Sequence, residues 1–468
     1  MNKKELINYF NSLARQANLW KRRNWYYHET LGKLCRFVVP KGSRVLEIGS
    51  GTGDLLKAVD PSYGLGMDIS PKMVEVAREK YPELNWRVSD AEDLKLNERF
   101  DYIILSDLVG YLADIGRSFH ELHLVSHEHS RVVITYYNYL WEPVLKLAEL
   151  LHLKARAPIQ NWMSPGDIEN LLSLADLEVV NRFSKMIMPV YIPLLSPLLN
   201  LVLVNLPLFS RLGLIRGVVA RPLPKKKRDY SVSIIIPVRN ERGNIESVVR
   251  QLPVFGTAQE IIFVEGHSTD GTLEEVGRVA DLYSGKRDIR WVVQSGRGKG
   301  DAVRLGFQMA RGDVLMILDA DLTVRPEDLP KFYDALVFGK GEFINGSRLV
   351  YQLEDESMRF FNILGNKFFS IMFSWILGQR IKDTLCGTKV LFKKDYKKIV
   401  AGRKYFGDFD PFGDFDLLFG AAKLNLKIVE MPVRYQARTY GTTNIQRWRH
   451  GWLLLKMVFF AVWKIKFS

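Results

Sequence analysis

The sequence predicts an α/β protein of two successive domains, each built on a parallel sheet with intervening helices. Three observations carry this. The 468 residues suit two or three domains and can bury sizeable cores. Short apolar, β-branched runs alternate with helical stretches between about residues 44 and 135, and again from Ser231 onward, as βαβ units require. Between the two sets lies Arg221-Pro222-Leu223-Pro224-Lys225-Lys226-Lys227-Arg228, a proline-bearing basic run that reads as a linker.

Composition narrows the partners. Apolar residues make up 47% and charged residues 25%, ordinary for a globular chain. The net charge of +14 points to nucleic acid, an anionic membrane surface or phosphorylated substrates. No zinc knuckle, ribonucleoprotein-type aromatic strand or basic helical repeat is present, so nucleic acid is not expected. Cys35 and Cys386 are far apart, which implies no disulfide framework and fits a reducing compartment. The opening Met1-Asn2-Lys3-Lys4-Glu5 is polar and unlike a signal peptide, and a cytoplasmic location is expected.

Residues 1–40 read as helical. Arg44–Leu56 then gives a short strand, a Gly49-Ser50-Gly51-Thr52-Gly53 turn and a helix start. Alternate glycines fold tightly and leave no Cβ in a ligand's way. Asp54 stands where a dinucleotide fingerprint would want its third glycine, against a nicotinamide or flavin site. The strand 63–67 ends in Asp68, placed for ribose hydroxyls. Later strands, 86–88, 100–105 and 131–135, follow; the first two end at Ser89-Asp90-Ala91 and Ser106-Asp107.

On these residues, 25–180 resemble a class I S-adenosylmethionine-dependent methyltransferase with a Rossmann-like sheet. The resemblance implies S-adenosylmethionine as cofactor, held by Glu47, Gly49, Gly51, Gly53, Asp68, Asp90, Ala91 and Asp107. Asp107 and Tyr111 also lie where such domains place acceptor-facing groups. His120, His123, His127 and His129 are expected as solvated histidines, the first three on a helix, rather than as a metal site.

From Met186 to Ser210 no residue is charged, yet Pro189, Pro193, Pro197 and Pro207 interrupt the run. A broken helical hairpin lying on a membrane face or covering the domain is expected. Arg359–Leu377 and Trp452–Phe467 are apolar and aromatic with interspersed lysines, suited to helices in a membrane interface.

The second half opens on Ser231–Val238, continuously β-branched as in a strand buried on both faces. Strands at 260–265 and 290–293 follow. Asp270-Gly271 makes a turn, and Gly296-Arg297-Gly298-Lys299-Gly300 is a basic loop suited to phosphate oxygens. The strand Val314–Leu318 then ends in Asp319-Ala320-Asp321. Two carboxylates this close repel unless a cation lies between them, and oxygen ligands suit Mg²⁺ or Mn²⁺.

These segments, from about Ser231 to Asn444, resemble family 2 glycosyltransferases of the GT-A fold, in particular the polyprenyl-phosphate, dolichol-phosphate mannosyltransferase type. The resemblance implies a nucleotide base and ribose site lined by Pro237, Asn240, Glu241 and Glu265, to which Asp319 and Lys299 of the basic loop add groups for the sugar diphosphate. It implies a metal held by Asp319 and Asp321, with Thr323 as a further ligand through its hydroxyl or a water. From the chemistry of transfer, Asp319, Asp321, Asp416 and Arg438 are the catalytic candidates, Asp416 as base for a hydroxyl acceptor, and Arg348 and Lys389, with Arg438, are candidates to hold acceptor and leaving-group phosphates. Glu265 replaces a usual aspartate pair, Thr323 a frequent glutamine, and Lys389 a frequent arginine.

The expected organisation is a methyltransferase-like domain at 1–182, an apolar segment and linker at 183–229, a glycosyltransferase domain at 230–444 and an amphipathic helix at 445–468. The expected activity is sugar transfer from a nucleotide sugar to a polyprenyl phosphate or related glycolipid, peripherally on the cytoplasmic face of a membrane. Transfer to a glycan hydroxyl with Asp414 or Asp416 as base, or a non-catalytic scaffold, are the alternatives. Neither a methyl acceptor nor an oligomeric state is assigned.

Overall fold

The computed structural model describes residues 3–157, 160–223, 228–348, 360–406, 415–433, 440 and 447–467. The chain divides into two compact units, residues 1–223 with 466–468, and 224–465.

The first unit carries a seven-stranded sheet of β1 (Arg44–Ile48), β2 (Tyr63–Asp68), β3 (Asn85–Val88), β4 (Phe100–Ser106), β5 (Ser126–Tyr137), β6 (Leu177–Lys185) and β7 (Ile215–Pro222). Their order is β3-β2-β1-β4-β5-β7-β6, parallel except for β7, which runs antiparallel to both neighbours. Alternation along each strand divides the core between the faces. Leu46, Ile48, Ile103 and Leu105 pack on one side, and Val45, Tyr102, Ile104 and Val133 on the other. The chain order reverses between β1 and β4, and both strands end at the same edge, so the turns after them meet there.

Two expectations need correcting. Residues 215–222, read as the end of an apolar stretch and a linker, form the inserted strand β7. Its Gly217-Val218-Val219-Ala220 run is buried because strands flank it on both edges. Of the three histidines expected on a helix only His120 lies on one, Ile115–Glu121; His123 follows it, and His127 lies with His129 in β5, which starts at Ser126. His127 Nε2 lies 3.2 Å from Asp101, and His123 Nε2 lies 2.6 Å from the Ala175 carbonyl. Among the described residues no His, Cys, Asp and Glu group of three or more is arranged to hold a metal ion.

Between β6 and β7 the prolines break the chain into short turns, Leu195–Pro197, Leu198–Val202, Leu203–Asn205 and Phe209–Leu212. Asn200 ties them together, accepting at Oδ1 from the backbone N–H groups of Ile187 and Met188 (2.7 and 2.8 Å). Val190, Leu194 and Leu208 are left 63%, 88% and 72% exposed.

The second unit carries β8 (Val232–Val238), β9 (Gln259–Glu265), β10 (Asp288–Val293), β11 (Val314–Ile317), β12 (Phe343–Ser347), β13 (Lys389–Phe392) and β14 (Ile428–Pro432). The order is β10-β9-β8-β11-β13-β12-β14, with β13 antiparallel to both neighbours. Its two cores hold Ile235, Val264 and Ile317 on one face, and Ile234, Phe263 and Met316 on the other. The helix Phe360–Leu377 buries Phe373, Ile376 and Leu377. The helix Arg447–Ala461 buries Leu454, Met457 and Val458 and exposes Trp452 and Phe459. Among the described residues no helix is long and apolar enough to cross a membrane.

Candidate functional site

In the second unit the site forms where β11 ends. The antiparallel register pairs Met316 with Val390, so the next residues outward, Lys389 on β13 and those after Ile317 on β11, reach the same edge. Asp319 accepts an ion pair from Lys299 Nζ at 2.7 Å, supplied by the first residue of the helix Lys299–Met309. Gly387 leaves the space beside this pair open, since a Cβ there would collide with both the carboxylate and the ammonium. Burial pushes the Asp319 carboxyl upward, but the charges of Lys299, Lys389 and Arg348 outweigh it and hold the group below the usual carboxylate range.

Each of the other cations is anchored. Lys389 is fully buried and donates to the Cys386 carbonyl at 2.5 Å. Arg348 is held by a bidentate pair with Asp383 (2.7 and 2.9 Å). Asp321 accepts at Oδ1 from the Thr323 hydroxyl (2.6 Å) and backbone N–H (3.1 Å), so Thr323 fixes that carboxylate.

The residues expected around the nucleotide are brought to the ends of β8 and β9. Asn240 takes a left-handed conformation (φ 56°), and its Oδ1 accepts from the Thr269 N–H at 2.9 Å. Glu241 accepts from the Asn244 side chain at 2.7 Å. Glu265 is buried and accepts from the N–H groups of His267 and Ser268 (3.0 and 2.6 Å), closing the turn after β9. Pro237 lies next to last in β8. Asp416 pairs with Arg403 (2.6 Å) at the start of the helix Phe415–Lys423. Arg438 and Asp414 lie outside the described residues.

In the first unit, Gly49, Gly51 and Gly53 all have positive φ (75°, 52° and 80°). Asp68 fastens this turn, accepting from Gly51 N–H (2.8 Å) and Ser70 N–H (2.9 Å). A Cβ on Gly51 would meet nothing within 4 Å, whereas one on Gly53 would collide with Trp86. The turn is therefore packed from beneath and open above. Glu47 is buried under it and accepts from Leu56 N–H (2.9 Å); burial lifts its carboxyl to about 8, against the opposing pull of Lys21. Asp90 is ion-paired with Lys3 at 2.5 Å, and Ala91 beside it is buried.

Sequence reading missed the contribution of the first helices. Lys21 Nζ donates to Thr52 Oγ1 at 2.7 Å and pairs with Asp54. The Asn11 amide oxygen accepts from Ser70 Oγ at 2.7 Å. Tyr27 donates its hydroxyl proton to Asp107 Oδ2. A helix's polar residues carry no sequence mark of what they touch across the fold, so no motif could have found these contacts.

The two units thus define a two-domain α/β protein with one edge site in each sheet. Residues 20–182 match the family described as Methyltransferase domain, and residues 233–399 match Glycosyl transferase family 2. The chain carries a methyltransferase domain followed by a family 2 glycosyltransferase domain. A dolichol-phosphate mannosyltransferase of Pyrococcus furiosus is 31% identical over 236 residues, 48% of this chain and 64% of that protein. Glycosyltransferase AglJ of Haloferax volcanii is 28% identical over 226 residues, 48% of this chain and 69% of that protein. The dolichol-phosphate mannosyltransferase of Saccharomyces cerevisiae is 36% identical over 110 residues, 22% of this chain and 40% of that protein. Among solved structures, magnesium protoporphyrin IX methyltransferase of Synechocystis covers 47% of this chain and all of its own, with 17% identity and a TM-score of 0.34. Glucosyl-3-phosphoglycerate synthase of Mycobacterium tuberculosis covers 50% of this chain and 80% of its own, with 17% identity and a TM-score of 0.37.

Proposed function

We propose that the second domain transfers a sugar from a nucleotide sugar to a polyprenyl phosphate or related glycolipid at a membrane face, and that the first domain is an S-adenosylmethionine-dependent methyltransferase. The observation that carries the first half is the Asp319 carboxylate set among Lys299, Lys389 and Arg348. Acids and cations gathered in one place suit a substrate with phosphates at both donor and acceptor. The likeness to dolichol-phosphate mannosyltransferases supports the lipid-phosphate acceptor.

Asp319 already accepts a positive charge from Lys299, and both acids offer hard oxygen donors, so Asp319 and Asp321 fit a Mg²⁺ or Mn²⁺ ion. When bound, such an ion would neutralise the diphosphate and the charge that grows on the departing nucleotide. The chain's own residues do the rest. Lys299 exchanges its carboxylate for a phosphate oxygen, Thr323 keeps Asp321 oriented, and Lys389 and Arg348 hold phosphate charge. An acceptor phosphate is ionised at neutral pH and needs no base. That reading suits Asp416, whose carboxylate is already paired with Arg403.

In the first domain the open face above Gly51 is the place for the cofactor, which would supply an electrophilic methyl group. Asp68 fixes the turn that would receive it. Membrane contact is supported by the exposed Val190, Leu194 and Leu208 together with the net charge of +14.

The test is incubation with radiolabelled nucleotide sugars, extracted membrane lipids and Mn²⁺. Label in an acid-labile lipid is the expected result. Label in polymer would instead favour a hydroxyl acceptor, and nucleotide binding without transfer would favour a scaffold.

A further inference from the structure

Asp107 follows β4 in a left-handed conformation (φ 52°) that non-glycine residues rarely adopt, and its N–H donates to the Thr135 carbonyl at 2.9 Å. Tyr27 donates to its Oδ2, while Oδ1 is buried without a hydrogen-bond partner. A buried carboxylate oxygen left unpaired is costly, and such an atom calls for a donor. Asp107, Gly110, Tyr137, Gln160 and Asn161 border a void of about 20 Å³. That is room for one water-sized group, such as a hydroxyl. The site adjoins the glycine turn, because a Cβ on Gly49 would lie 2.9 Å from Cδ1 of Leu108, the next residue in the chain.

We propose that Asp107 is the general base of an O-methylation whose acceptor is a hydroxyl of an uncharged sugar, its O–H seated on Oδ1. This rests on the methyltransferase reading and reassigns Asp107 from cofactor contact to catalysis. The void's lining supports the acceptor class. Trp162 and Tyr136 contribute aromatic rings and Gln160 and Asn161 amides; among the described residues that line it there is no lysine or arginine, and the nearby Lys154 is already paired with Glu149. In the step, the acceptor oxygen bonds to the methyl carbon. The carbon–sulfur bond of the sulfonium donor breaks, its electron pair staying on sulfur as a thioether, and the acceptor proton passes to Asp107 Oδ1. Tyr27 is a positioning residue, since its hydrogen bond orients the carboxylate and favours its charged form.

The charged and titratable groups facing Asp107 are Tyr27, Cys35, Tyr111, Tyr137 and Lys154, the last paired with Glu149 at 2.8 Å. Burial lifts the Asp107 carboxyl to about 6, with Tyr27, Lys154 and Thr135 pulling it down. A base in that range is ionised at neutral pH and still accepts a proton.

The full-length protein would be tested for S-adenosylmethionine binding by calorimetry, and for transfer of labelled methyl to methyl α-mannoside, methyl α-glucoside and methyl β-N-acetylglucosaminide. Asp107→Asn is expected to lower transfer at least ~100-fold while donor Kd stays within ~3-fold. Tyr27→Phe is expected to move the acid limb of the pH–rate profile upward, since the charged carboxylate loses its donor. Transfer within ~3-fold of wild type in Asp107→Asn would overturn the proposal, as would a parallel loss of donor binding, which marks a cofactor contact. Donor binding with no glycoside methylated overturns the acceptor class. Failure of the wild-type chain to bind the donor overturns the underlying methyltransferase reading.

Discussion

Lys299 Nζ stands 2.7 Å from Asp319 Oδ1, and the missing side chain of Gly387 is what lets the two meet. One residue follows a basic loop, the second ends an apolar strand, and the third precedes an antiparallel strand. Their convergence depends on β13 pairing with β11.

Asp319→Asn is therefore expected to abolish sugar transfer, and Lys299→Met to reduce it ~100- to 1000-fold, as when a preorganised charge is removed from a developing anion. Gly387→Ala should be as damaging as Asp319→Asn, because its Cβ would collide with both partners. Gly402→Ala is the control, since nothing lies within 4 Å of its added Cβ. Transfer assays on the four variants check this, and an active Gly387→Ala would contradict the geometry.

The glycine turn gives a contrast within one loop. Gly51→Ala places its methyl in open space and Gly53→Ala drives it into Trp86, while both strain a positive φ by about 1 kcal/mol. Gly51→Ala should lose S-adenosylmethionine affinity with only a small fall in Tm. Gly53→Ala should lose several degrees of Tm as well. Calorimetric binding and thermal unfolding separate the two.

Glu47 makes the stability of the first domain depend on pH. Burial raises its carboxyl from 4.5 to about 8 when folded, so between those values the folded state binds the extra proton. Stability must then fall as pH rises through that window and level off above it, by an amount on the order of 3–5 kcal/mol. Glu47→Gln is expected to flatten this dependence. Urea unfolding at pH 5, 6.5 and 8 measures it, and an equal slope in the variant would count against a buried, proton-bound Glu47.

Much of the fold was legible because strands flanked on both sides leave continuous apolar runs, as in Ile234-Ile235-Ile236, and because Gly49, Gly51 and Gly53 announce a turn. The inserted strand 215–222 was hidden for the same reason. Only Arg211 and Arg216 separate its run from the uncharged stretch that ends at Ser210, too little to mark where the sheet resumed. Asp319 and Lys299 were readable from their loops. Arg348 and Lys389 were named as phosphate-holding candidates, but their gathering around Asp319 was not legible, since Lys389 reaches that carboxylate only through strand pairing. Nor was Tyr27 on Asp107, which joins residues 80 apart.

The apolar segment before β7 should act at a lipid surface. Leu194→Ser with Leu208→Ser removes two side chains that are 88% and 72% exposed, so folding should be unchanged. Binding to vesicles containing anionic lipid is expected to weaken ~10-fold or more, from apolar area no longer buried. Co-sedimentation with vesicles tests this, and undiminished binding would assign membrane contact elsewhere.

Asp416 separates a base from a structural ion. Its carboxylate accepts from Arg403 Nε (2.8 Å) and pairs with Nη2 (2.6 Å), and both side chains are largely buried. Burial pulls the Arg403 guanidinium pKa down, but its hydrogen bonds and charge interactions with Asp416 and Tyr396 outweigh that and leave it above its usual value, so the pair is favoured. Asp416→Asn strips the countercharge from a half-buried arginine, which should destabilise the second domain by about 1–3 kcal/mol. If the acceptor is a phosphate, kcat at a temperature where the variant is folded should stay within ~3-fold of wild type. A loss beyond ~100-fold with unchanged stability would instead make Asp416 the base of a hydroxyl-directed transfer.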